Sequence, residues 1–307
     1  MKRYYRQVIV LFTILFSYVF IVGLLFSNIV MYIRKKTTEE IIEREKNLGH
    51  YKEDEYASLP KKPLNIASPF GYNIYGELIK VNDSNRYMIF CHGVTQNTYN
   101  SIKYMNIFLK RGWNAVIYDH RRHGKSGGKT TSYGYYEKHD LKAVVDWVKK
   151  RQGPESIIGI HGESMGASTL LLYAGGMEDG ADFYIADCPF SDLEEQLAYR
   201  LKVEYKLIPK YAIMPIAKTF LRIRDKYNLK EVSPISVIEN IEKPILFIHS
   251  EPDDYIPKVM TEQLFEKKKG LKKLYLAPKG QHAMSYSENR EEYEKMVDEF
   301  LQEIGYH

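Results

Sequence analysis

The stretch Gly162-Glu163-Ser164-Met165-Gly166 decides the fold that this sequence predicts. It matches the pattern G-x-S-x-G, in which a serine sits on a sharp turn between a strand and a helix with its hydroxyl exposed. The flanking residues fit such a turn, because 156–161 are typical of a short buried strand and 165–173 of a helix. Glycine is needed on both sides of the serine, since a side chain there would collide with the tight turn. The stretch therefore predicts a serine nucleophile.

Strand-like and helix-like runs alternate from Pro63 to the end of the chain. The predicted strands are 64–67, 73–81, 87–91, 115–119, 157–161, 183–187, 245–249 and 273–277. The predicted helices are 98–111, 136–151, 165–174, 257–269 and 289–304. The first two strands form a hairpin-like pair, and the later alternation is typical of a mostly parallel sheet covered on both faces. We predict an α/β fold with a mostly parallel eight-stranded sheet flanked by helices.

The segment of about 191–242, after the sixth predicted strand, breaks this alternation with helical periodicity and no strand-like run. Its apolar residues include Leu197, Leu201, Leu207, Ile213, Met214, Ile216, Phe220 and Leu221. An insertion there lies over the carboxyl ends of the strands, where open α/β sheets bind ligands. We interpret it as a helical cap that shapes an apolar pocket; the alternative is that it only adds packing.

The N-terminal stretch Val8–Ile33 contains no charged residue. A helix needs about 20 apolar residues to cross a bilayer, so this stretch can span one with some tilt. It is longer than a signal-peptide core of about 7–15 residues, and no A-x-A-like cleavage site follows it. We predict an uncleaved N-terminal transmembrane helix at 8–33, within an anchor of 1–36. A cleaved signal peptide and a buried helix of the soluble domain are the alternatives.

The orientation of this anchor depends on its flanking charges. Basic residues stand at both ends of the stretch, so the positive-inside rule is nearly balanced. Because a short, positively charged tail resists translocation, we predict a single-pass protein of the cell membrane with its large domain, 63–307, extracellular. Residues 37–62 are rich in Glu and Lys and end near Pro60 and Pro63. We interpret them as a partly helical juxtamembrane spacer that holds the domain off the bilayer.

Bulk composition excludes several other classes of protein. The net charge of +5 comes from scattered residues, so no nucleic-acid-binding surface is expected. The two cysteines, Cys91 and Cys188, do not make a disulfide framework and lack the spaced partners of a zinc site. We expect neither a metal nor a cofactor.

A serine nucleophile requires a base, and the base requires an acid that orients it. In this topology the acid and then the histidine follow the serine along the chain, each on a loop after a strand. Asp253 follows the strand 245–249, and His282 lies in the loop after the last strand. We predict Ser164, Asp253 and His282 as nucleophile, acid and base, with Asp254 or Asp187 as alternative acids.

The negative charge that develops on the substrate oxygen needs preorganised donors. One is expected to be the backbone N–H of Met165, which follows the nucleophile, and the other an N–H of the loop after the third strand. In that loop Gly93 allows close approach of the backbone, and we predict Val94 N–H as the second donor of the oxyanion hole. Thr95 is the alternative.

Six motifs of this chain resemble those of the α/β-hydrolase superfamily and occur in the same order. They are FCHGVTQN (90–97), YDHRRHGKSGG (118–128), YGYYEKHD (133–140), GESMG (162–166), HSEPDDYIP (249–257) and GQHAMSY (280–286). The resemblance covers roughly Pro63 to the end and is nearest to membrane-anchored bacterial hydrolases around the serine aminopeptidase and monoacylglycerol-lipase-like branch. It implies the same triad, an oxyanion loop that begins at His92-Gly93, and no cofactor. One departure is Glu163, which stands where many lipases carry histidine.

The leading hypothesis is a carboxylic-ester hydrolase that acts on small acyl or lipid-like esters near the membrane. A serine peptidase is an alternative. It would need a charged cap residue to bind a peptide terminus, and the cap contains such residues. Charged residues of the cap are Glu194, Glu195, Arg200 and Glu204. An acyltransferase would use the same triad, and a catalytically inactive, membrane-tethered binding module is the alternative outside the enzymes.

Overall fold

The computed structural model describes residues 2–204, 206 and 210–306, except for the side chains of 2 and 210–212. Positions 205 and 207–209 of the predicted cap, Leu207 among them, lie outside the described residues. Eight strands form one sheet in the order β1-β2-β4-β3-β5-β6-β7-β8. They are β1 (Lys61–Ala67), β2 (Asn73–Ile79), β3 (Arg86–Cys91), β4 (Asn114–Tyr118), β5 (Ile157–Glu163), β6 (Phe183–Asp187), β7 (Ile245–Ser250) and β8 (Lys272–Ala277). Strand β2 is antiparallel to both neighbours, and every other pair is parallel.

The helices lie on both faces of this sheet and at its carboxyl edge. The first eight along the chain are α1 (Lys2–Met31), α2 (Thr38–Asn47), α3 (Glu53–Ser58), α4 (Thr98–Leu109), α5 (Glu137–Gln152), α6 (Met165–Gly176), α7 (Leu193–Glu204) and α8 (Lys210–Asp225). They are followed by α9 (Pro234–Val237), α10 (Val259–Lys267), α11 (Ser285–Glu288) and α12 (Arg290–Glu303), with 3₁₀ turns at Leu229–Glu231 and Ile238–Asn240. The predicted α/β-hydrolase fold and its eight-stranded, mostly parallel sheet are confirmed.

The core consists of two apolar layers, one on each face of the sheet. Alternate residues of β4 show the division, because Val116 and Tyr118 face the layer under α5 and α6, whereas Ala115 and Ile117 face the layer under α4 and α12. Because both faces are covered, the central strands are apolar throughout, as parallel strands usually are.

The predicted spacer 37–62 instead packs on the domain. Thr37 caps α2 in a reciprocal pair with Glu40. Ile41 on the same helix is fully buried, and Tyr51 and Tyr56 join the core layer that contains α4. Strand β1 then begins inside the predicted spacer. The structure differs from the expectation because a few apolar residues, spaced among many charges, form a continuous buried face only once the helices have folded.

Helix α1 is long and apolar enough to cross a membrane, and it is the one such helix in the part of the chain that the structure describes. Only 6% of its most apolar window is buried. The length and composition of α1 fit a membrane anchor or a signal sequence. The domain-side half of α1 packs along α8. A Cβ at Gly23 would lie 2.3 Å from the ring of Phe220, so the ring contacts the α1 backbone directly. Arg224 donates to Ser27 Oγ (2.5 Å) and Asn28 Oδ1 (2.7 Å).

Candidate active site

Ser164 occupies the turn between β5 and α6, with φ 55° and ψ −118°. Its backbone N–H donates to Asp187 O on the neighbouring strand (2.8 Å). A Cβ at Gly166 would lie 2.0 Å from Cys91 O, and one at Gly162 would lie 2.5 Å from the carbonyl carbon of Gly166. These contacts exclude any residue but glycine on either side of the strained serine. The predicted strand–turn–helix around Ser164 is therefore present.

Ser164, His282 and Asp253 form a continuous chain of hydrogen bonds. Ser164 Oγ lies 2.9 Å from His282 Nε2, and His282 Nδ1 lies 2.7 Å from Asp253 Oδ2. An ionised carboxylate only accepts, so Nδ1 carries the proton and Nε2 accepts from the serine hydroxyl. The side chain of Asp253 is fully buried, whereas 19% of the His282 side chain is exposed. This geometry suits proton transfer from the serine to the histidine during nucleophilic attack.

The carboxylate of Asp253 is held by four donors. Its Oδ1 accepts from the backbone N–H groups of Tyr255 (2.9 Å) and Ile256 (3.0 Å), and its Oδ2 lies 3.1 Å from His249 Nε2 as well as close to His282. Burial raises the pKa of Asp253, but the hydrogen bonds from His249 and His282 outweigh it and hold the pKa well below its usual range. The acid therefore remains ionised. The contact of His249 with the acid was not predicted from the sequence, because no local pattern distinguishes this histidine from others near strand ends.

The two alternative acids have other partners. Asp254 is exposed, and its backbone oxygen accepts from the side chains of Tyr199 and Arg200 (both 3.1 Å). Asp187 accepts from Ser285 Oγ (2.9 Å), and its Oδ2 lies 3.2 Å from Tyr104 OH. Burial raises the pKa of Asp187 to about 6. Of the three carboxylates, Asp253 is the one that hydrogen-bonds to His282.

The loop after β3 lies against the nucleophile. A Cβ at Gly93 would be 3.6 Å from Ser164 Cβ. The N–H of Thr95 donates to His123 Nε2 (3.2 Å) and is therefore occupied. Among the described residues, neither Val94 N–H nor Met165 N–H donates to a protein atom. Val94 and Met165 as the donors of the oxyanion hole therefore stay a prediction.

Three buried histidines support this loop from below. Nδ1 of His92 lies 2.7 Å from Gly93 O, and its Nε2 accepts from the N–H of His120 (2.9 Å). Nδ1 of His123 lies 2.8 Å from Arg121 O. Burial, followed by the neighbouring imidazoles, lowers the pKa of His92 well below its usual value, and the pKa of His123 is lowered to about 4, chiefly by burial. Neutral imidazoles thus fix the loop by hydrogen bonds.

Comparison with known proteins identifies the family. The sequence profile of the α/β-hydrolase fold matches residues 87–197. The uncharacterized protein YqkD of Bacillus subtilis is 52% identical over 98% of both chains. The chain belongs to the α/β-hydrolase superfamily. The structure of the Pyrococcus furiosus esterase Pf2001 is similar, with a TM-score of 0.66 and 26% identity over 82% of this chain and 96% of that one. Protein YfhR of Escherichia coli is 25% identical over 71% of both chains.

Glu163, the residue that departs from the pattern of many lipases in this superfamily, forms a buried ion pair. Its Oε2 accepts from Lys103 Nζ (2.7 Å) and from Tyr104 OH (2.8 Å), both on α4. The side chains of Lys103 and Glu163 are 1% and 2% exposed. Such a pair costs desolvation on both sides and is maintained only by good geometry and further hydrogen bonds. The position before the nucleophile thus accepts a carboxylate because α4 supplies its counter-ion, a partner that the sequence did not reveal.

The chain that leaves α1 runs along the loop after β3 and the loop after β4. Met31 O accepts from Thr131 N–H (3.0 Å), and Arg122 donates to Ile33 O (2.9 Å). Lys36 N–H donates to Thr95 O (3.1 Å), next to the predicted oxyanion donor. Residues 31–36 therefore contact the loop that carries Val94. Sequence reasoning missed this contact, because extended linkers carry no pattern that predicts what they touch.

One group of side chains has the chemistry of a metal site. The ligand atoms of Cys188, Asp253 and His282 lie within 4.8 Å of one another. A cysteine binds metal as the thiolate, but burial and the nearby carboxylate of Asp187 raise the pKa of Cys188 well above its usual value. The Asp253 and His282 atoms already hydrogen-bond to each other. These three side chains therefore fit a bound metal ion poorly, and we assign no metal to the site.

Proposed function

We propose that this chain is a membrane-anchored serine hydrolase that cleaves carboxylic esters through an acyl-enzyme. The observation that carries the proposal is the hydrogen-bonded chain from Ser164 Oγ through the His282 imidazole to the buried Asp253 carboxylate. Ser164 Oγ lies 2.9 Å from His282 Nε2, and His282 Nδ1 lies 2.7 Å from Asp253 Oδ2. Both distances are within the range that a nucleophile, its base and the orienting acid require.

The proposed reaction has two halves. Ser164 Oγ attacks the ester carbonyl carbon while its proton passes to His282 Nε2, and the N–H groups of Val94 and Met165 stabilise the oxyanion. The carbon–oxygen bond to the leaving alcohol then breaks, and His282 returns its proton to the alcohol. In the second half, water attacks the acyl-enzyme with His282 again as base, which releases the carboxylic acid and restores the serine.

The charges of the cap favour an ester over a peptide substrate. A peptidase needs a free charge to bind a peptide terminus, but Glu194 pairs with Lys218 (2.7 Å) and Arg200 pairs with Glu204 (2.8 Å). Glu195 is exposed. An acyltransferase would require an alcohol to attack the same acyl-enzyme in place of water. Product analysis with added glycerol distinguishes the two activities, because a transferase forms a glycerol ester and a hydrolase forms the free acid.

Anchoring through α1 is part of the proposal. Cleavage after α1 would remove Val30 and Met31, which are 7% and 2% exposed and pack on the cap. Loss of that packing argues against a removed signal peptide. We further propose that the domain lies outside the cell. Labelling of Glu303→Cys by an impermeant maleimide on intact cells supports this orientation, and labelling only after lysis would reverse it.

The test of the serine nucleophile uses the full-length protein in detergent. A fluorophosphonate probe should label it, Ser164→Ala should abolish the labelling, and the control Ser168→Ala, one turn along α6, should retain it. Labelling that persists in Ser164→Ala would remove Ser164 from its role. A panel of p-nitrophenyl esters and aminoacyl-p-nitroanilides then tests the ester preference, which faster turnover of the anilides would refute.

A further inference from the structure

A polar cavity lies between α4, the segment that follows α2 and the start of α12, and we name it the α4 pocket. Its lining residues include His50, Lys52, Glu55, Lys103, Lys110 and Arg290. Its volume of about 590 Å³ lies within the roughly 300–1,000 Å³ of ordinary small-molecule sites. Of the described residues that line it, none belongs to the triad. The α4 pocket is therefore separate from the proposed site of hydrolysis.

His50 brings an unpartnered acceptor to the wall of the α4 pocket. Its Nδ1 lies 2.7 Å from Glu45 Oε2, and both side chains are 1% exposed. Burial raises the pKa of Glu45, but the hydrogen bond from His50 and nearby cations bring it below its usual value, so the ionised carboxylate accepts from Nδ1. Burial lowers the pKa of His50 despite this bond, so the imidazole is neutral and its Nε2 is an acceptor. Among the described residues, no atom donates to this Nε2. A fitting ligand therefore supplies an O–H or N–H.

The charges around the α4 pocket favour an anion. Glu55 is the one acidic residue among the described residues of its wall, and it pairs with Lys52 (2.7 Å). Lys103 is neutralised by the buried carboxylate that precedes the nucleophile. In the part of the chain that the structure describes, neither Lys110 nor Arg290 pairs with a carboxylate. These two cations are therefore free to bind negative charge in the pocket.

The acceptor and one of the free cations lie against the same aromatic ring. The centroid of the Tyr286 ring is 5.6 Å from that of the His50 imidazole and 5.8 Å from the guanidinium carbon of Arg290. One nitrogen of this guanidinium donates to Leu48 O, and a Cβ at Gly49 would lie 3.7 Å from it. A guanidinium has five N–H groups, so others remain for a ligand. One small molecule can therefore contact His50 Nε2 and Arg290 together.

We propose that the α4 pocket binds a small anion that carries a hydroxyl group, with the chemistry of a polyol phosphate. The hydroxyl donates to His50 Nε2, and the anionic oxygens accept from Arg290 and Lys110. Such a molecule satisfies the buried acceptor and the unpaired cations together. An apolar molecule satisfies neither, and a cation would be repelled by the lysines and the arginine. The ligand is bound without being cleaved, because the triad lies outside the pocket.

The test measures binding by isothermal titration calorimetry on the full-length protein in detergent at pH 8. The second pKa of a phosphate monoester is about 6, so at this pH the phosphate only accepts, and glycerol 3-phosphate donates only through its hydroxyls. Propyl phosphate has the same charge and no hydroxyl. We expect the wild type to bind glycerol 3-phosphate at least about fivefold more tightly than propyl phosphate, the effect of one net hydrogen bond.

Two variants separate the hydroxyl contact from the charge. His50→Asn retains an N–H for Glu45 near the position of Nδ1 but removes Nε2. It should weaken glycerol 3-phosphate about fivefold and leave propyl phosphate within about twofold. Arg290→Gln should weaken both ligands at least about tenfold, because each loses a charge-assisted hydrogen bond. The control Lys295→Gln, on the same helix, 73% exposed and outside the pocket wall, should change neither by more than about twofold.

Three results would overturn the proposal. They are no binding of glycerol 3-phosphate at millimolar concentration, equal affinity of the wild type for the two phosphates, and an equal effect of Arg290→Gln and Lys295→Gln. If His50→Asn fails to fold, the comparison of the two phosphates in the wild type and in Arg290→Gln still decides. None of these measurements depends on hydrolysis, so this proposal and the esterase function can fail separately.

A polyol phosphate is supplied by a soluble molecule or by the headgroup of a lipid, and competition distinguishes the two sources. The titration with glycerol 3-phosphate is repeated in nanodiscs that contain phosphatidylglycerol, or phosphatidylserine at the same charge. Weaker binding only with phosphatidylglycerol assigns the α4 pocket to a lipid headgroup. Equal binding in both nanodiscs assigns it to a soluble ligand.

Discussion

The backbone N–H of Lys36 donates a 3.1 Å hydrogen bond to the carbonyl oxygen of Thr95. This contact joins the segment that leaves the apolar helix α1 to the loop that carries the predicted oxyanion donor Val94. Few residues separate the end of α1 from this contact, so the proposed anchor holds the catalytic site at a short, fixed distance from the membrane. A substrate that resides in the bilayer then needs to move little to reach the nucleophile.

Packing at the end of α1 should contribute to the stability of the whole domain. Met31 is 2% exposed and contacts the cap cluster, so Met31→Ala should lower the free energy of unfolding by about 2–5 kcal/mol, as other buried truncations do. Leu25→Ala, at a position 56% exposed on the same helix, is the control and should change little. Thermal unfolding in detergent measures both, and equal Tm values for the two variants would contradict the packing.

The buried pair of Lys103 and Glu163 should be costly to break from one side. Lys103→Met leaves the Glu163 carboxylate buried without its cation, so we expect a loss of about 3–5 kcal/mol in denaturant unfolding. Adding Glu163→Gln should restore part of this loss, because no isolated charge then remains. The half-buried Lys142, which pairs with Asp146 and Glu178 at the surface, is the control, and Lys142→Met should cost less than about 1 kcal/mol. A double variant no more stable than Lys103→Met would refute the coupling.

The hydrogen bond between Asp253 and His282 should set the tautomer of the histidine. In Asp253→Asn the amide can donate to Nδ1, which shifts the proton to Nε2 and removes the acceptor for the serine proton. We expect kcat for a short-chain ester to fall by about 10⁴, the effect of this exchange in a serine protease triad. Asp254→Asn, at the exposed neighbouring carboxylate, should stay within about tenfold of the wild type. The reverse order of the two effects would make Asp254 the acid.

The buried carboxyl of Asp140 should make stability depend on pH. It accepts from Ser68 Oγ (2.6 Å) and from Tyr72 OH, and burial raises the pKa of Asp140 from 3.8 to about 6. Between these values the folded state binds more protons than the unfolded state, so stability falls as pH rises. The shift corresponds to about 2–3 kcal/mol between pH 4 and pH 7.

The variant Asp140→Asn isolates this effect. Its free energy of unfolding, relative to the wild type, should increase by up to about 3 kcal/mol from pH 4 to pH 7. Urea titrations at both pH values measure the change, with Asp146→Asn on the exposed face of α5 as the control for loss of charge. A difference that is constant with pH would contradict the raised pKa.

The sequence predicted the sheet well, because strands and helices repeat with different periods. The predicted strand 183–187 agrees with β6 to the residue, and predicted helix 98–111 overlaps α4 with an error only at its end. It did not predict that β4 lies between β2 and β3, since pairing partners are not a local property. The packing of residues 37–62 on the domain was not predicted for a related reason. Ile41 and Tyr56 belong to very short apolar runs among charges, and their burial depends on the surfaces they meet.

By itself, the sequence determined the turn that exposes Ser164 and the order in which Asp253 and His282 follow it. These depend on glycine at two positions and on short periodic runs, which are properties of neighbouring residues. The tertiary structure alone decided that Lys103 neutralises Glu163 and that the segment after α1 lies on the oxyanion loop. Such contacts join residues far apart in the chain, and their free energy arises only when folding removes both partners from water.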